Sequence, residues 1–540
     1  MKKDRLIKSI LTAAVSGVIL ITGVLSQAPM EVKADGELPV TVTSATIAGE
    51  NVVVNAAAAA VPASDDGIYY LFAEKVYQAA PSGAAVATAA AGPAATFVFP
   101  LGYNTAANHL YDKFQVAVKQ GGAIVPVSAG KYITNPEVLG TNTAPRKNSG
   151  KKGLILDSAK IGNGNTEAMQ LGVQQAAYNI NLEDVIGGNG QIAYPYNGKV
   201  YTFDSASVAQ YDHCVVTATV QGMGMTMVLL NPRVKGEEFM IAPSARSGRC
   251  SYYMMNTQEE KGLEYLEAVV SFLANRYNGK NGCGQVDNWV VGNEVNAKNI
   301  WNYSSTSDQM AYAQQYADEL RVCYNAIKSR NANAHVCVSL DQNWTKVQAV
   351  GSYYSARSTL EAINACIVSQ GNIDWALAEH PYNYPMTWTS FWTPRSEEDL
   401  TMILHNIDTP YLSMQNIEVL TDYMSLPTMR NTKGNVRPIL LTEIGYPSTQ
   451  GEQAQAAAIV YAYQRAMTNR YIDMIIFNRQ TDHQLEVSQG MPVGLTRQDG
   501  TPKLSYIYYQ KMNGPEAQTY IQQAAAYMGI TDWNAAMMAR

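Results

Sequence analysis

From residue 150 onward the chain repeats one pattern. A short apolar run is followed by a longer stretch whose apolar residues recur at helical spacing. The runs are 174–180, 226–231, 252–256, 288–293, 335–340, 373–379, 438–442 and 472–478. Each is too short for a buried helix and reads as a strand. Between them, residues 262–277 carry Leu263, Leu266, Val269, Val270 and Leu273 on one helical face, and 309–329 and 452–470 follow the same rule. A helix between two strands returns the chain to the end where it started, so such strands pair in parallel. Eight of them predict a (β/α)8 TIM barrel. A doubly wound open sheet is the alternative, and no glycine-rich phosphate loop follows any run to favour its nucleotide-binding form.

Residues 36–145 have another texture, rich in Ala, Val, Gly and Thr. Alternating runs (Val40-Thr41-Val42-Thr43, Val52-Val53-Val54, Tyr69-Tyr70-Leu71-Phe72, Thr96-Phe97-Val98-Phe99, Phe114-Gln115-Val116-Ala117-Val118) are separated by turn signals such as Asp66-Gly67 and Gly121-Gly122. This predicts a smaller antiparallel β-sandwich of immunoglobulin or fibronectin type over 35–148, preceding a barrel over 149–540. Its role stays open between spacer, sugar-binding module and lid. Two stretches, 185–210 and 384–415, read as barrel insertions. Their aromatics either offer platforms to sugars or pin the loops down.

Residues 1–34 read as a signal peptide. Lys2, Lys3, Arg5 and Lys8 precede an apolar run over 10–25, and Val32-Lys33-Ala34 offers a cleavage site, so cleavage is expected before Asp35 and the protein is expected to be secreted. An uncleaved anchor is the alternative, although the run is short for a membrane span. The segment holds five Lys/Arg and two Asp/Glu, so a net charge of −6 becomes −9 without it. An acidic exported chain suits neither nucleic acid nor anionic membrane surfaces and points to a neutral substrate and a monomer. The six cysteines form no CxxC pair and read mostly as buried free thiols, with room for one bridge.

Two apolar runs end in glutamate. One is Trp289-Val290-Val291-Gly292-Asn293-Glu294-Val295-Asn296, and the other is Pro438-Ile439-Leu440-Leu441-Thr442-Glu443-Ile444-Gly445-Tyr446-Pro447. Carboxylates at the C-terminal ends of barrel strands stand where barrels do their chemistry. Glycosidic cleavage needs two of them: an acid to protonate the leaving oxygen, and a carboxylate or activated water to meet the anomeric carbon. One must start protonated and the other ionised, which predicts a bell-shaped pH–rate curve on the acidic side of neutral.

These two segments resemble the strand-4 and strand-7 signatures of the large retaining (β/α)8 glycoside hydrolase clan often called clan A. Its usual pattern is Asn-Glu, often continued by Pro-Asn, after strand 4, and a Glu ending strand 7. Asn293-Glu294-Val295-Asn296 matches with Val in place of Pro. The resemblance implies a glycan substrate, Glu294 as acid/base and Glu443 as nucleophile, with Asn293 and Asn296 nearby. His380-Pro381-Tyr382 after strand 6 matches the place where the clan often carries a His or Tyr near the nucleophile, and a phenol there helps keep a carboxylate ionised. The resemblance spans roughly 150–515 and includes Gly494-Leu495 and Gly500-Thr501-Pro502-Lys503 after strand 8. The chain also resembles a secreted bacterial family known mainly as a domain of unknown function.

One departure matters. Where the clan often ends strand 8 with a Trp floor, this chain has Phe477-Asn478-Arg479-Gln480. Arg479 either binds a carboxylate or sulfate on a sugar or pairs with Asp482 or another rim acid. Asn179, Asn231 and Asn256, at the ends of the first three runs, read as contacts to sugar hydroxyls or as helix caps. Asp341 and Glu379 are the spare carboxylates at strand ends. No cofactor is expected. Six His without an HxH pair argue against a metal hydrolase, and no run holds the Lys of a Schiff-base aldolase. The rival from another class is a non-catalytic carbohydrate-binding or wall-associated protein on a glycosidase-like barrel.

Overall fold

The computed structural model describes residues 38–144, 150–236 and 238–538; the expected signal peptide lies outside them. Eight parallel strands close a barrel: β1 (Lys152–Ile155), β2 (Gln175–Asn181), β3 (Gly224–Leu230), β4 (Asn288–Val291), β5 (His335–Asp341), β6 (Ala376–His380), β7 (Ile439–Ile444) and β8 (Ile472–Phe477). Helices Ser205–Val220, Glu260–Arg276, Gln309–Lys328, Ala356–Ser369 and Glu452–Thr468 lie between successive strands. Capping fixes where several begin: Asp204, Asp308 and Ser355 each accept a backbone N–H in the first turn.

One strand assignment needs correction. Residues 252–256 are not a barrel strand. They lie in the loop after β3, held by single bridges from Tyr253 to Tyr303 and from Met255 to Ile241. The missing strand is β1, which pairs with β8 through Ile475↔Lys152, Ile476↔Gly153 and Phe477↔Leu154. A Cβ on Gly153 would come within 2.6 Å of Ile476 Cγ1 and 2.8 Å of the Ile475 carbonyl, so the seam closes because this residue has no side chain. A four-residue strand beginning Lys-Gly carries almost no apolar periodicity.

The barrel interior is a packed core. Ala177, Val290, Cys337, Ala376, Ala378, Leu440, Met474 and Ile476 form one cluster, with Ile155 and Val228 against it. Small residues on some strands accommodate large ones on others, and the filled interior confines chemistry to the mouth.

The N-terminal region forms antiparallel sheets. Val40–Ala48, Asn51–Ala58 and Ala94–Pro100 make one; Ala87–Ala90, Ile68–Glu74, Lys113–Gln120, Ala123–Pro126 and Lys131–Tyr132 make the other. Buried and exposed residues alternate along Ala94–Pro100, as a strand with one face on a core requires. The sheets bind the barrel layer directly. Asn325 Nδ2 donates to the Leu110 carbonyl at 2.9 Å, and the Tyr111 and Tyr196 hydroxyls meet at 2.6 Å.

That second contact settles the role of the aromatics in the first insertion. Ile192–Tyr196 and Lys199–Phe203 form a hairpin, Phe203 stacks on Phe272 at 4.5 Å, and Tyr196 is buried. They pin the insertion. In the second insertion Phe391 is buried against Tyr446 and Tyr461, while Tyr384 stacks on Tyr411 at 4.4 Å. All six cysteines are free, and Cys214, Cys323, Cys337 and Cys366 are buried. No helix among the described residues is long and apolar enough to cross a membrane.

Candidate active site

The chain leaves β4 through Gly292 at φ +69° and reaches Glu294 at φ +39°. A non-glycine residue in the left-handed region is strained and persists only where its surroundings hold it. Ser339 of β5 supplies that hold: its Oγ accepts from Glu294 N, and its carbonyl accepts from Val295 N, both at 3.0 Å. The Glu294 carbonyl then accepts from Ala297 N at 2.8 Å. The turn aims the Glu294 carboxylate at β6, where Oε1 lies 2.9 Å from His380 Nδ1.

At β7 the register with β8 slips between Leu441 and Ile444: three steps on β7 match two on β8. Such a bulge re-aims side chains near the end of a strand. Here it lets two consecutive residues reach β6. Thr442 Oγ1 lies 3.0 Å from His380 Nε2, and Glu443 Oε1 accepts from the Tyr382 hydroxyl at 2.8 Å. Asn478, just after β8, donates through Nδ2 to the same hydroxyl at 3.3 Å. Glu294, His380, Thr442, Glu443, Tyr382 and Asn478 thus form one chain of contacts across β4, β6, β7 and β8.

The electrostatics follow from burial and crowding. Burial raises the Glu443 pKa above the ordinary carboxylate value; the charge of His380 opposes this, the charge of Glu294 adds to it, and the Tyr382 hydrogen bond and Arg479 pull it down. Burial favours neutral His380, but the Glu294 hydrogen bond and the negative field of Glu443, Glu294 and Asp341 outweigh it and raise its pKa. Burial and the Glu294 charge raise Asp341. Glu379 is fully buried with neither carboxyl oxygen hydrogen-bonded, and burial drives it well above the ordinary range. Its strand register sets it beside Leu340 and Leu441, which belong to the core between sheet and helices, whereas Ala378 packs inside the barrel.

Comparison with known proteins gives a family. A family model described as a family of unknown function (DUF5722) matches residues 144–536. The chain belongs to that family. No functionally curated protein matches the sequence. Among solved structures, a family 39 glycoside hydrolase from the gut symbiont Bacteroides cellulosilyticus WH2 is similar at TM-score 0.44 and 14% identity, over 85% of this chain and 78% of that one. A glucosidase from Croceicoccus marinus is similar at 0.43 and 13%, over 71% and 69%. An exo-β-1,4-mannosidase from Opitutaceae bacterium strain TAV5 is similar at 0.42 and 15%, over 68% and 56%.

The remaining candidate residues of this DUF5722 member divide clearly. Among the described residues, no protein hydrogen bond engages the side chain of Asn293, beside Glu294, or of Asn179, in β2. Three other asparagines hydrogen-bond within the protein. Asn231 is buried, and its Nδ2 donates to the carbonyls of Met240 at 3.0 Å and Tyr253 at 3.2 Å. Asn256 is buried in the loop after β3 and donates to the Phe239 carbonyl and Glu259. Asn296 is buried against Asp341: its Nδ2 donates to Oδ1 at 2.6 Å, and its own Oδ1 accepts from Asp341 N at 3.1 Å. Asp341 also accepts from Asn343 Nδ2 at 2.6 Å and from the Tyr353 hydroxyl.

Arg479 does not pair with Asp482, which is held by Lys503 and by Gly494 N. Its NH1 approaches Glu486 Oε1 at 3.3 Å. Glu486, on the short helix Gln484–Ser488, is buried, and burial pushes its pKa up to about 7. Glu486 and Ser339 stand in no recognisable motif, and Thr442 and Asn478 lie in the quoted segments with no role to read from them; only the closure of the barrel brings all four to Glu294 and Glu443.

Proposed function

We propose that this protein is a secreted glycoside hydrolase that cleaves β-glycosidic bonds in a poly- or oligosaccharide by double displacement, with Glu443 as nucleophile and Glu294 as acid/base. The observation that carries this reading is the unequal treatment of two glutamates at one barrel mouth. Glu443 receives a phenolic hydrogen bond and the positive field of Arg479, both of which favour an ionised, attacking carboxylate. Among the described residues Glu294 has neither a phenol nor an arginine hydrogen-bonded to it; its carboxylate meets His380 Nδ1 at 2.9 Å.

In the first step Glu443 attacks the anomeric carbon as Glu294 delivers a proton to the departing glycosidic oxygen. The C–O bond breaks, an alcohol leaves and a glycosyl ester forms on Glu443. In the second step Glu294, now ionised, takes a proton from water. The water oxygen attacks the same carbon and Glu443 leaves as carboxylate, so the configuration is retained. This course requires the carboxyl groups to lie about 5–5.5 Å apart. His380 links Glu294 to β7 through Thr442. The Asn293 side chain, without a protein hydrogen bond among the described residues, stands ready for a sugar hydroxyl.

The test is a screen of the chain expressed from residue 35 on aryl β-glycosides and on plant and microbial polysaccharides. A 2-deoxy-2-fluoro glycoside of the best substrate should label Glu443 by one sugar mass, and NMR should show the β-anomer as first product. A label elsewhere or an α-anomer would refute the assignment. Glycan binding with no turnover by any substrate would replace the enzyme with a binding protein.

A further inference from the structure

Arg479 sits on a backbone that cannot move freely. Asn478 N donates to the Ile444 carbonyl at 2.7 Å, Gln480 N donates to the Ile155 carbonyl at 3.0 Å, and Leu495 N donates to the Arg479 carbonyl at 3.0 Å. Both neighbouring side chains are buried: Asn478 on Tyr382, and Gln480 on Asn165 and Glu167. Strands β7 and β1 and the loop carrying Leu495 therefore hold the main chain, while the guanidinium reaches Glu486, which is joined through Asn478 and Tyr382 to Glu443.

Its partnership is incomplete. Arginine–carboxylate pairs often fork through two short parallel bonds, as Arg276 does on Asp212 at 2.6 Å and 2.6 Å. Arg479 makes one side-chain contact, at 3.3 Å, and its side chain is 14% exposed. Glu486 is equally underused. Its Oε2 is buried without a partner, and its Oε1 is shared with Asn478 at 3.4 Å. The other N–H groups of Arg479 have no acceptor among the described residues. A sugar seated over Glu443 would close this partly exposed side chain off from solvent, and buried guanidinium hydrogens without an acceptor are costly.

We infer that Arg479 determines specificity for a sugar carrying an anionic group, a carboxylate or a sulfate ester, in the subsite where Glu443 attacks. This rests on the glycosidase reading for the position of the sugar, but not on turnover for its test. It replaces the neutral substrate expected from the overall charge of the chain: the local cation outweighs a remote acidic surface, whose field salt screens within about 10 Å.

Two measurements separate this inference from the catalytic one. The first compares kcat/KM on aryl β-D-glucuronide, aryl β-D-galacturonide and aryl 6-sulfo-β-D-glucoside with the neutral aryl glucoside and galactoside. The second measures calorimetric binding of oligosaccharides bearing the same groups to Glu443→Gln protein, which needs no chemistry. We expect an acidic probe to be preferred over its neutral counterpart by about 100-fold, the worth of a charge-assisted fork. Arg479→Gln should collapse that ratio toward one and Arg479→Lys should restore part of it, with the thermal midpoint of both variants close to the parent. The uronide and sulfate arms identify the anion. Equal or better handling of neutral sugars, or a ratio unmoved in Arg479→Gln, overturns the inference and leaves the glycosidase intact. Arg479-dependent binding of acidic sugars without turnover of any substrate upholds the inference and removes the glycosidase.

Discussion

Replacing Tyr382 with Phe removes one hydroxyl and leaves the ring that packs with Met491 and Val493. That hydroxyl donates to Glu443 Oε1 at 2.8 Å and accepts from Asn478 Nδ2 at 3.3 Å. A hydrogen bond to a charged group is worth about 1.5–3 kcal/mol, and one pH unit corresponds to about 1.4 kcal/mol. Its loss should therefore raise the Glu443 pKa by roughly one to two units beyond the elevation that burial already imposes. The sign follows from the role of the group. Glu443 must be ionised to attack, so activity is lost as pH falls through its pKa, and a higher pKa moves the acidic limb toward neutral. The alkaline limb belongs to the group that supplies the proton and should stay in place, so the profile narrows. Because kcat/KM reports the free enzyme, its pH profile on the best aryl β-glycoside is the assay. Fold stability should drop by only about 1 kcal/mol, since Asn478 keeps its contact with Glu486 at 3.4 Å. An acidic limb that stays within about 0.3 unit of the parent, whatever happens to the maximal rate, would show that Tyr382 does not govern the ionisation of Glu443.

Other consequences can be measured on the same protein. Glu294→Ala should lose about 10²–10⁴-fold on substrates with poor leaving groups and much less on activated aryl glycosides, and added azide should rescue turnover and yield a β-glycosyl azide; no rescue, or an equal loss on both substrate types, would place the acid elsewhere. Ser339→Ala removes the hydroxyl that holds Glu294 N at 3.0 Å in its left-handed conformation. Its kcat should fall more than its thermal midpoint implies, and an unchanged kcat would mean that the turn holds without it. Ile476→Ala, inside the barrel and against Gly153 at the β8–β1 seam, should cost about 2–5 kcal/mol in denaturant unfolding; a cost under about 1 kcal/mol would contradict a close-packed interior.

The sequence by itself determined the class of fold and set two glutamates at strand ends. Helices with one apolar face between short apolar strands can bury both patterns only as a parallel sheet covered by helices. Glutamates ending the fourth and seventh strands follow from counting along the chain. The count survived one wrong strand and one missed strand because both errors lie before β4. β1 was invisible because closure there depends on the absence of a side chain at Gly153, against Ile476, and local periodicity cannot report a contact made more than 300 residues away. Only the tertiary structure decided what surrounds the acids. Asn231, Asn256 and Asn296 turn their amides to backbone carbonyls and carboxylates of other segments, which no local pattern reports. Glu379 read as a spare strand-end carboxylate, and strand alternation sets it beside Leu340 and Leu441. Arg479 was ambiguous until Lys503 was found on Asp482 and the nearest acid proved to be Glu486, reached at 3.3 Å by a single nitrogen. Periodicity along a chain records which face of an element meets the core; hydrogen bonds and charge pairs at a barrel mouth join residues from different strands, and their partners exist only once the barrel has closed.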